Sequence, residues 1–250
     1  ANLADKKFIN ILKSYNADLY IIYAYGKMLP PELIVLPKHG VINIHCSLLP
    51  KWRGAAPIQR ALQNGDQQTG ITFFKIDESL DTGEIISSYE YNIKDNDDAL
   101  LLQDKLTQIA IDRLEEVILL NLNSSKFTQQ NESSVSYAKK IHKTEAFINW
   151  NDDSYLICSK IRALTAGPLA ETELFGIKFK VWKARQVLYV GDKEPGTLIK
   201  FNRNELCFSS KGGAVSIEKL QLPGKKVISA RDLFNSNSSF VHKIKQYLDK

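Results

Sequence analysis

Cysteine is scarce in this 250-residue chain, with only Cys46, Cys158 and Cys207. Three thiols, odd in number and far apart, exclude a disulfide scaffold and point to a reducing compartment. The four histidines are scattered, and no CxxC or HxxxH spacing occurs, so a structural zinc site is not expected. Apolar runs are short as well. None approaches the roughly 20 residues that a membrane-spanning helix needs, and nothing at the start reads as a signal-peptide core. A soluble, cytoplasmic chain without a metal is therefore expected. What remains is ordinary globular composition, 44% apolar and 24% charged, which excludes disordered, collagen-like and coiled-coil classes. At roughly 100–150 residues per domain, the length suggests two domains.

Charge is unevenly distributed. Residues 1–142 hold 15 Lys+Arg against 17 Asp+Glu, whereas residues 143–250 hold 18 against 11. The first part is thus close to neutral and the second strongly basic. A basic half beside a neutral one is the footprint of an anionic polymer such as RNA or DNA; the plainer alternative is a solvated basic face.

The hydrophobic pattern divides at the same place. Leu3, Phe8, Ile11, Leu12 and Tyr15 recur at helical spacing. Residues 18–24 and 40–45 read as strands, the former nearly continuous in apolar character, as in a sheet covered on both faces. Pro57 suits the first turn of a helix that Gly65 stops. Residues 69–76 and 84–91 read as an antiparallel pair at one sheet edge, and 98–120 as a long helix carrying Leu102, Leu106, Ile109, Leu114, Ile118 and Leu119. These elements predict an open, Rossmann-like α/β sheet over residues 1–122. Residues 123–142, rich in Asn, Ser, Gln, Thr and Lys, read as a linker with one short strand at 135–137. After a helical stretch around 155–164, short strands recur at roughly ten-residue spacing, predicting a small all-β, OB-like barrel over 143–250.

One cluster carries chemistry. Asn43 and His45 stand two apart on a strand that enters a Pro/Gly-punctuated loop, so both point to one side. In open α/β sheets ligands bind beyond the carboxyl ends of the strands. An amide donor beside an imidazole suits polarisation of a carbonyl and handling of a proton; a structural histidine is the alternative. At the next strand–loop junction, Asp81-Thr82-Gly83 supplies a carboxylate that would orient or charge His45, or forms a simple turn. Asp-Thr-Gly also occurs in aspartic proteases, but those need two copies within all-β lobes. Cys46 alternates to the opposite face from His45, so the two do not pair, and packing is its expected role.

The string Asn-x-His-x-Ser-Leu-Leu-Pro-x-x-Arg-Gly over residues 43–54, followed by Leu80-Asp81-Thr82-Gly83, resembles the signature of the folate-dependent formyltransferases. The fuller run Trp52-Arg53-Gly54-Ala55-Ala56-Pro57-Ile58-Gln59-Arg60 resembles the methionyl-tRNA branch of that superfamily. So do the later Leu222-Pro223-Gly224-Lys225-Lys226 and Ser229-Ala230-Arg231-Asp232-Leu233. This resemblance implies a catalytic set of Asn43, His45 and Asp81. It also implies 10-formyltetrahydrofolate as formyl donor and initiator methionyl-tRNA as acceptor. Asn43 and His45 would hydrogen-bond the developing oxyanion, and Asp81 would influence the charge of His45 and, through water, take the proton lost by the amine. The folate contacts it implies are Tyr25, Gly26, Met28, Leu29, Ser47, Leu48, Leu49, Pro50 and Asp77. Lys225, Lys226, Lys178, Lys180 and Arg53 are expected on the tRNA, and the chain is expected to act as a monomer.

Two departures accompany the resemblance. The family pattern opens roughly 65 residues earlier, with strands of the parallel sheet that this sequence does not contain, so a leading segment is expected to be missing from it. Residues 163–168, Ala-Leu-Thr-Ala-Gly-Pro, replace a Pro-Trp-Pro-like stretch. Sugar-amine formyltransferases share the catalytic motif but would not be expected to carry so basic a second domain. Formyltetrahydrofolate dehydrogenases usually continue into regions for which this chain has no room. A non-catalytic nucleic-acid-binding protein is disfavoured by the presence of all three catalytic residue types.

Overall fold

Asp5 opens the first helix by accepting a hydrogen bond from the Lys7 amide at 2.9 Å, satisfying one of the free N–H groups of the first turn. In the computed structural model, which describes residues 3–124 and 126–249, the chain forms two compact units. The first comprises residues 1–61, 66–96 and 101–140; the second comprises 62–65, 97–100 and 141–250.

In the first unit the order is α1 (Lys6–Ser14), β1 (Tyr20–Tyr23), α2 (Pro31–Ile34), β2 (Val41–His45), β3 (Arg53–Gly54), α3 (Pro57–Asn64), β4 (Gln68–Lys75), β5 (Ile85–Asn92), α4 (Ala99–Asn123) and β6 (Tyr137–Ala138). Four strands form a sheet in the order β1-β2-β4-β5. β1 and β2 are parallel, while β4 runs antiparallel to both β2 and β5. The expected edge hairpin is therefore present, and Gly65 stops α3 with a left-handed φ of +74°. Along α4 the buried apolar positions are Ala99, Leu102, Leu106, Ala110 and Val117. Leu119, expected in that stripe, is instead exposed. The buried stripe continues to Asn121, which donates to the His39 carbonyl. Tyr23 Oη lies 2.6 Å from Thr107 Oγ1, tying α4 to β1.

The second unit contains α5 (Ser154–Ala163), β7 (Ala170–Leu174), β8 (Ile177–Val187), β9 (Leu198–Phe201), β10 (Leu206–Ser210), β11 (Gly213–Gln221), β12 (Ile228–Ser229), α6 (Ala230–Asn235) and α7 (Ser239–Leu248). Its strands form a curled antiparallel sheet in the order β7-β8-β11-β10-β9, with β12 beside β11. Phe175 and Gly176 both take positive φ in the turn between β7 and β8. Two C-terminal helices, absent from the sequence expectation, bury Leu233, Phe240, Val241 and Ile244 in the same core as Phe179, Val181, Phe208 and Ile217. α6 begins with a capping box, Ser229 and Asp232 bonding reciprocally.

Candidate active site

The end of β2 presents the first two residues. Side chains alternate along a strand, so Asn43 and His45 share one side while Ile42 and Ile44 take the other. Asn43 and His45 line a cavity of about 400 Å³ together with Asp81, Phe74, Gly54 and the 22–29 segment. The amide of Asn43 has no side-chain hydrogen-bond partner among the described residues, which leaves its donors to the cavity.

His45 is only 6% exposed. Its Nε2 lies 2.8 Å from the Trp52 carbonyl oxygen. A carbonyl only accepts, so Nε2 carries the hydrogen and the neutral ring keeps its lone pair on Nδ1. That Nδ1 stands 3.8 Å from Asp81 Oδ2. Burial pushes the imidazole below its ordinary pKa of 6.5, while the Asp81 carboxylate and the Trp52 carbonyl pull it back in part. The ring is therefore a neutral base at pH 7, with a carboxylate poised to stabilise its protonated form.

Asp81 occupies a left-handed backbone position, φ +54°, which Asp tolerates better than most residues. Its Oδ2 accepts from the Gly54 amide at 2.8 Å, and its carbonyl accepts from Gln130 Nε2 at 2.9 Å. A Cβ on Gly83 would overlap the Lys75 carbonyl, so only glycine fits where the turn rejoins β5. Asp77 closes the same loop by accepting from the Ser79 amide and the Thr82 hydroxyl.

The loop between β2 and α3 is held by the segment after α4. β3 pairs in parallel with β6, the Trp52 amide donates to Ser136 Oγ at 2.9 Å, and the Trp52 indole donates to Asp66 at 2.7 Å. These bonds fix the Trp52 carbonyl that orients His45. Residues 126–138 thus build part of the site, although their composition resembles a linker.

Tyr25, Gly26, Met28, Leu29 and Asp77 all line the cavity. Gly26 has φ +69°, and a Cβ there would meet no atom within 4 Å, so bare backbone faces open space. Ser47, Leu48, Leu49 and Pro50, expected beside the ligand, are not among the residues that line this cavity. They are engaged in shaping the loop instead. Ser47 donates to the Lys51 carbonyl, Leu48 packs on Gly70, the Leu49 amide donates to Thr72 Oγ1, and the Pro50 carbonyl accepts from Ser136. Arg53, expected on the tRNA, is buried. It is 2% exposed, and its guanidinium donates to Gln130 and Glu132, so it presents nothing to a phosphate. Lys178, Lys180, Lys225 and Lys226 are all exposed on the second unit, the first two on β8 and the others at the end of the Leu222–Lys225 turn.

Cys46 touches the cavity wall, but its thiol is pushed up by burial and donates to Tyr23 Oη. Tyr23 is itself pushed up to about 12, mainly by burial. A thiol kept protonated is a poor nucleophile, which suits packing. Among the described residues no His/Cys/Asp/Glu group could hold a metal ion, and no helix is long and apolar enough to cross a membrane.

A buried imidazole beside a carboxylate, with an amide donor turned to the same cavity beyond the end of a sheet strand, is an arrangement suited to group transfer at a polarised carbonyl. Residues 1–118 match the model of the formyl transferase family, and residues 140–238 match that of the formyl transferase C-terminal domain. Over 239 residues the chain is 37% identical to the methionyl-tRNA formyltransferase of Colwellia psychrerythraea, covering 92% of this chain and 73% of that protein. It is 39% identical over 227 residues to that of Coxiella burnetii, covering 90% and 72%. The chain belongs to the formyl transferase family, on the methionyl-tRNA formyltransferase branch. Solved structures share the fold. The methionyl-tRNA formyltransferase of Clostridium thermocellum superposes with a TM-score of 0.62 at 16% identity, covering 88% of this chain and 84% of that one. HypX of Aquifex aeolicus in complex with tetrahydrofolic acid gives 0.65 at 18%, covering 91% and 40%.

Proposed function

We propose that the protein transfers the formyl group of 10-formyltetrahydrofolate to the α-amino group of methionyl-initiator-tRNA, in the cytoplasm, as a step of translation initiation. The cavity suits such a donor: its volume lies within the 300–1,000 Å³ typical of small-molecule sites, and the open backbone at Gly26 offers main-chain partners to a flat polar ring. The folate supplies a formyl group activated by attachment to nitrogen. The protein's own residues do the rest. Asn43 donates from its unpaired amide to the formyl oxygen as negative charge develops there. His45 takes the amine's proton at Nδ1 as the amine bonds to the formyl carbon, and Asp81 stabilises the imidazolium that results. His45 then returns the proton to the folate nitrogen as its bond to the formyl carbon breaks and tetrahydrofolate leaves. Trp52 fixes the tautomer by holding Nε2–H. This assignment changes the expected role of His45: Nε2–H is spent on Trp52 and Nδ1 bears a lone pair, so the neutral ring is an acceptor, and the oxyanion falls to Asn43.

The observation that carries this reading is His45 held between the Trp52 carbonyl at Nε2 and the Asp81 carboxylate facing Nδ1, in a cavity that also receives the Asn43 amide. All three groups come from one chain, so a monomer suffices. The basic second unit supports tRNA as the acceptor carrier, with Lys178, Lys180, Lys225 and Lys226 offered to its backbone. The test is transfer of labelled formyl from 10-formyltetrahydrofolate to methionyl-tRNA, run beside an amino-sugar nucleotide. Transfer only to the sugar would move the protein to the sugar-amine branch; transfer to neither would overturn the reading.

A further inference from the structure

Beyond the three residues at the cavity lies a buried polar chain. The Gln130 side chain, 9% exposed, uses every hydrogen-bonding position of its amide. Its Oε1 accepts from Arg53 Nε at 3.0 Å and Nη2 at 2.8 Å. Its Nε2 donates to the carbonyls of Asp81 at 2.9 Å and Gly83 at 2.8 Å. The reversed amide would set two N–H groups against guanidinium donors and an oxygen against two carbonyls, so the surroundings permit one orientation. Arg53 in turn donates to Glu132 at 2.7 Å, and the adjoining Gly54 amide holds Asp81 Oδ2. Main chain and side chain of one dipeptide therefore grip Asp81 at two points, the carboxylate directly and the backbone through Gln130.

We propose that Gln130, anchored by Arg53, is a positioning residue that holds the Asp81 turn so that its carboxylate faces His45. The inference rests on the formyl-transfer reading above. The need for a tether follows from the geometry. Asp81 sits at positive φ in a loop whose carbonyls would otherwise lack these donors, and its carboxylate stands only 3.8 Å from Nδ1. A misplacement of about 1 Å at such a distance costs on the order of 100-fold in rate.

The test compares Gln130→Glu and Gln130→Leu with Asp81→Asn and wild type. Gln130→Glu keeps the volume and the acceptor for Arg53 but removes both donors to the turn. The expected result is a turnover reduced roughly 10- to 100-fold, with the Michaelis constant for folate within about twofold and thermal unfolding still cooperative. An independent readout needs no activity: NMR titration of the His45 ring. The carboxylate raises that pKa, so displacing it in Gln130→Leu should lower the midpoint in the same direction as Asp81→Asn. An unaltered midpoint in a folded variant, or turnover equal to wild type, would overturn the proposal. So would failure of both variants to fold, which would make Gln130 a determinant of the fold alone. If wild type formylates no methionyl-tRNA yet the midpoint shifts, the functional reading fails and the positioning stands.

Discussion

His45 Nδ1 and Asp81 Oδ2 stand 3.8 Å apart, beyond hydrogen-bond length, and the tautomer explains the gap. With Nε2–H committed to the Trp52 carbonyl, both facing atoms are acceptors until a proton arrives between them. The pair is set for the charge that follows proton uptake rather than for the resting state.

Asp81→Asn removes that compensation. Turnover should fall by roughly 100-fold, a common size for general-base effects. The acid limb of the kcat/KM profile should also move to lower pH, because the carboxylate that raises the imidazole pKa is gone. Profiles of wild type and variant across pH 4.5 to about 8 would read both effects; a superimposable profile at full activity would reduce Asp81 to a turn residue.

Burial of a neutral histidine has a stability consequence. The folded pKa of His45 lies below the unfolded value of 6.5, so between the two the unfolded chain binds more protons. Stability therefore rises with pH through this window and is lost as pH falls below about 6.5, with a slope of at most about 1.4 kcal/mol per pH unit from this one group. His45→Gln, which retains a donor for Trp52, should remove that component from the urea midpoint plotted against pH. A wild-type midpoint curve reproduced by the variant would rule His45 out as its source.

Asn43 tests the oxyanion role separately. Its amide has no protein partner among the described residues, so Asn43→Ala leaves no broken bond behind in the resting site. Turnover should drop by roughly 100- to 1,000-fold with folate affinity nearly unchanged, as for loss of one oxyanion donor. Equal losses in affinity and turnover would instead mark Asn43 as a ground-state contact.

Much of this was legible from periodicity and spacing. The two-residue offset of Asn43 and His45 carries their shared side, and Pro57 with Gly65 brackets α3. Tertiary contacts were not legible. Gln130 lies in a polar stretch whose composition is that of a loop, and nothing local distinguishes an amide that will be buried against Arg53 from one left in water. The burial of Arg53 was not legible for the same reason: only Glu132, brought in from 79 residues away, takes up its terminal donors. Ser47 to Pro50 belong to a motif that also shapes the loop, and motif membership does not reveal which members line the cavity.

The basic unit offers the last test. Lys225 and Lys226 are exposed at the end of a turn closed by the Lys225 amide on the Leu222 carbonyl, and Gln221 donates to the Lys225 carbonyl. Gln221 pairs in register with Lys180, which brings the turn beside the exposed β8 lysines. By contrast, Lys183 pairs with Glu218, and Arg185 with Glu205 and Glu218, so much of their charge is already answered within the protein. Replacing Lys225 and Lys226 together by alanine should raise the Michaelis constant for methionyl-tRNA and spare the folate site. If each contacts one phosphate, the slope of log affinity against log salt should flatten by about two units. Binding measured across a salt series decides it. Parallel slopes with equal affinities would take this pair off the tRNA path and leave Lys178 and Lys180 as the next to replace.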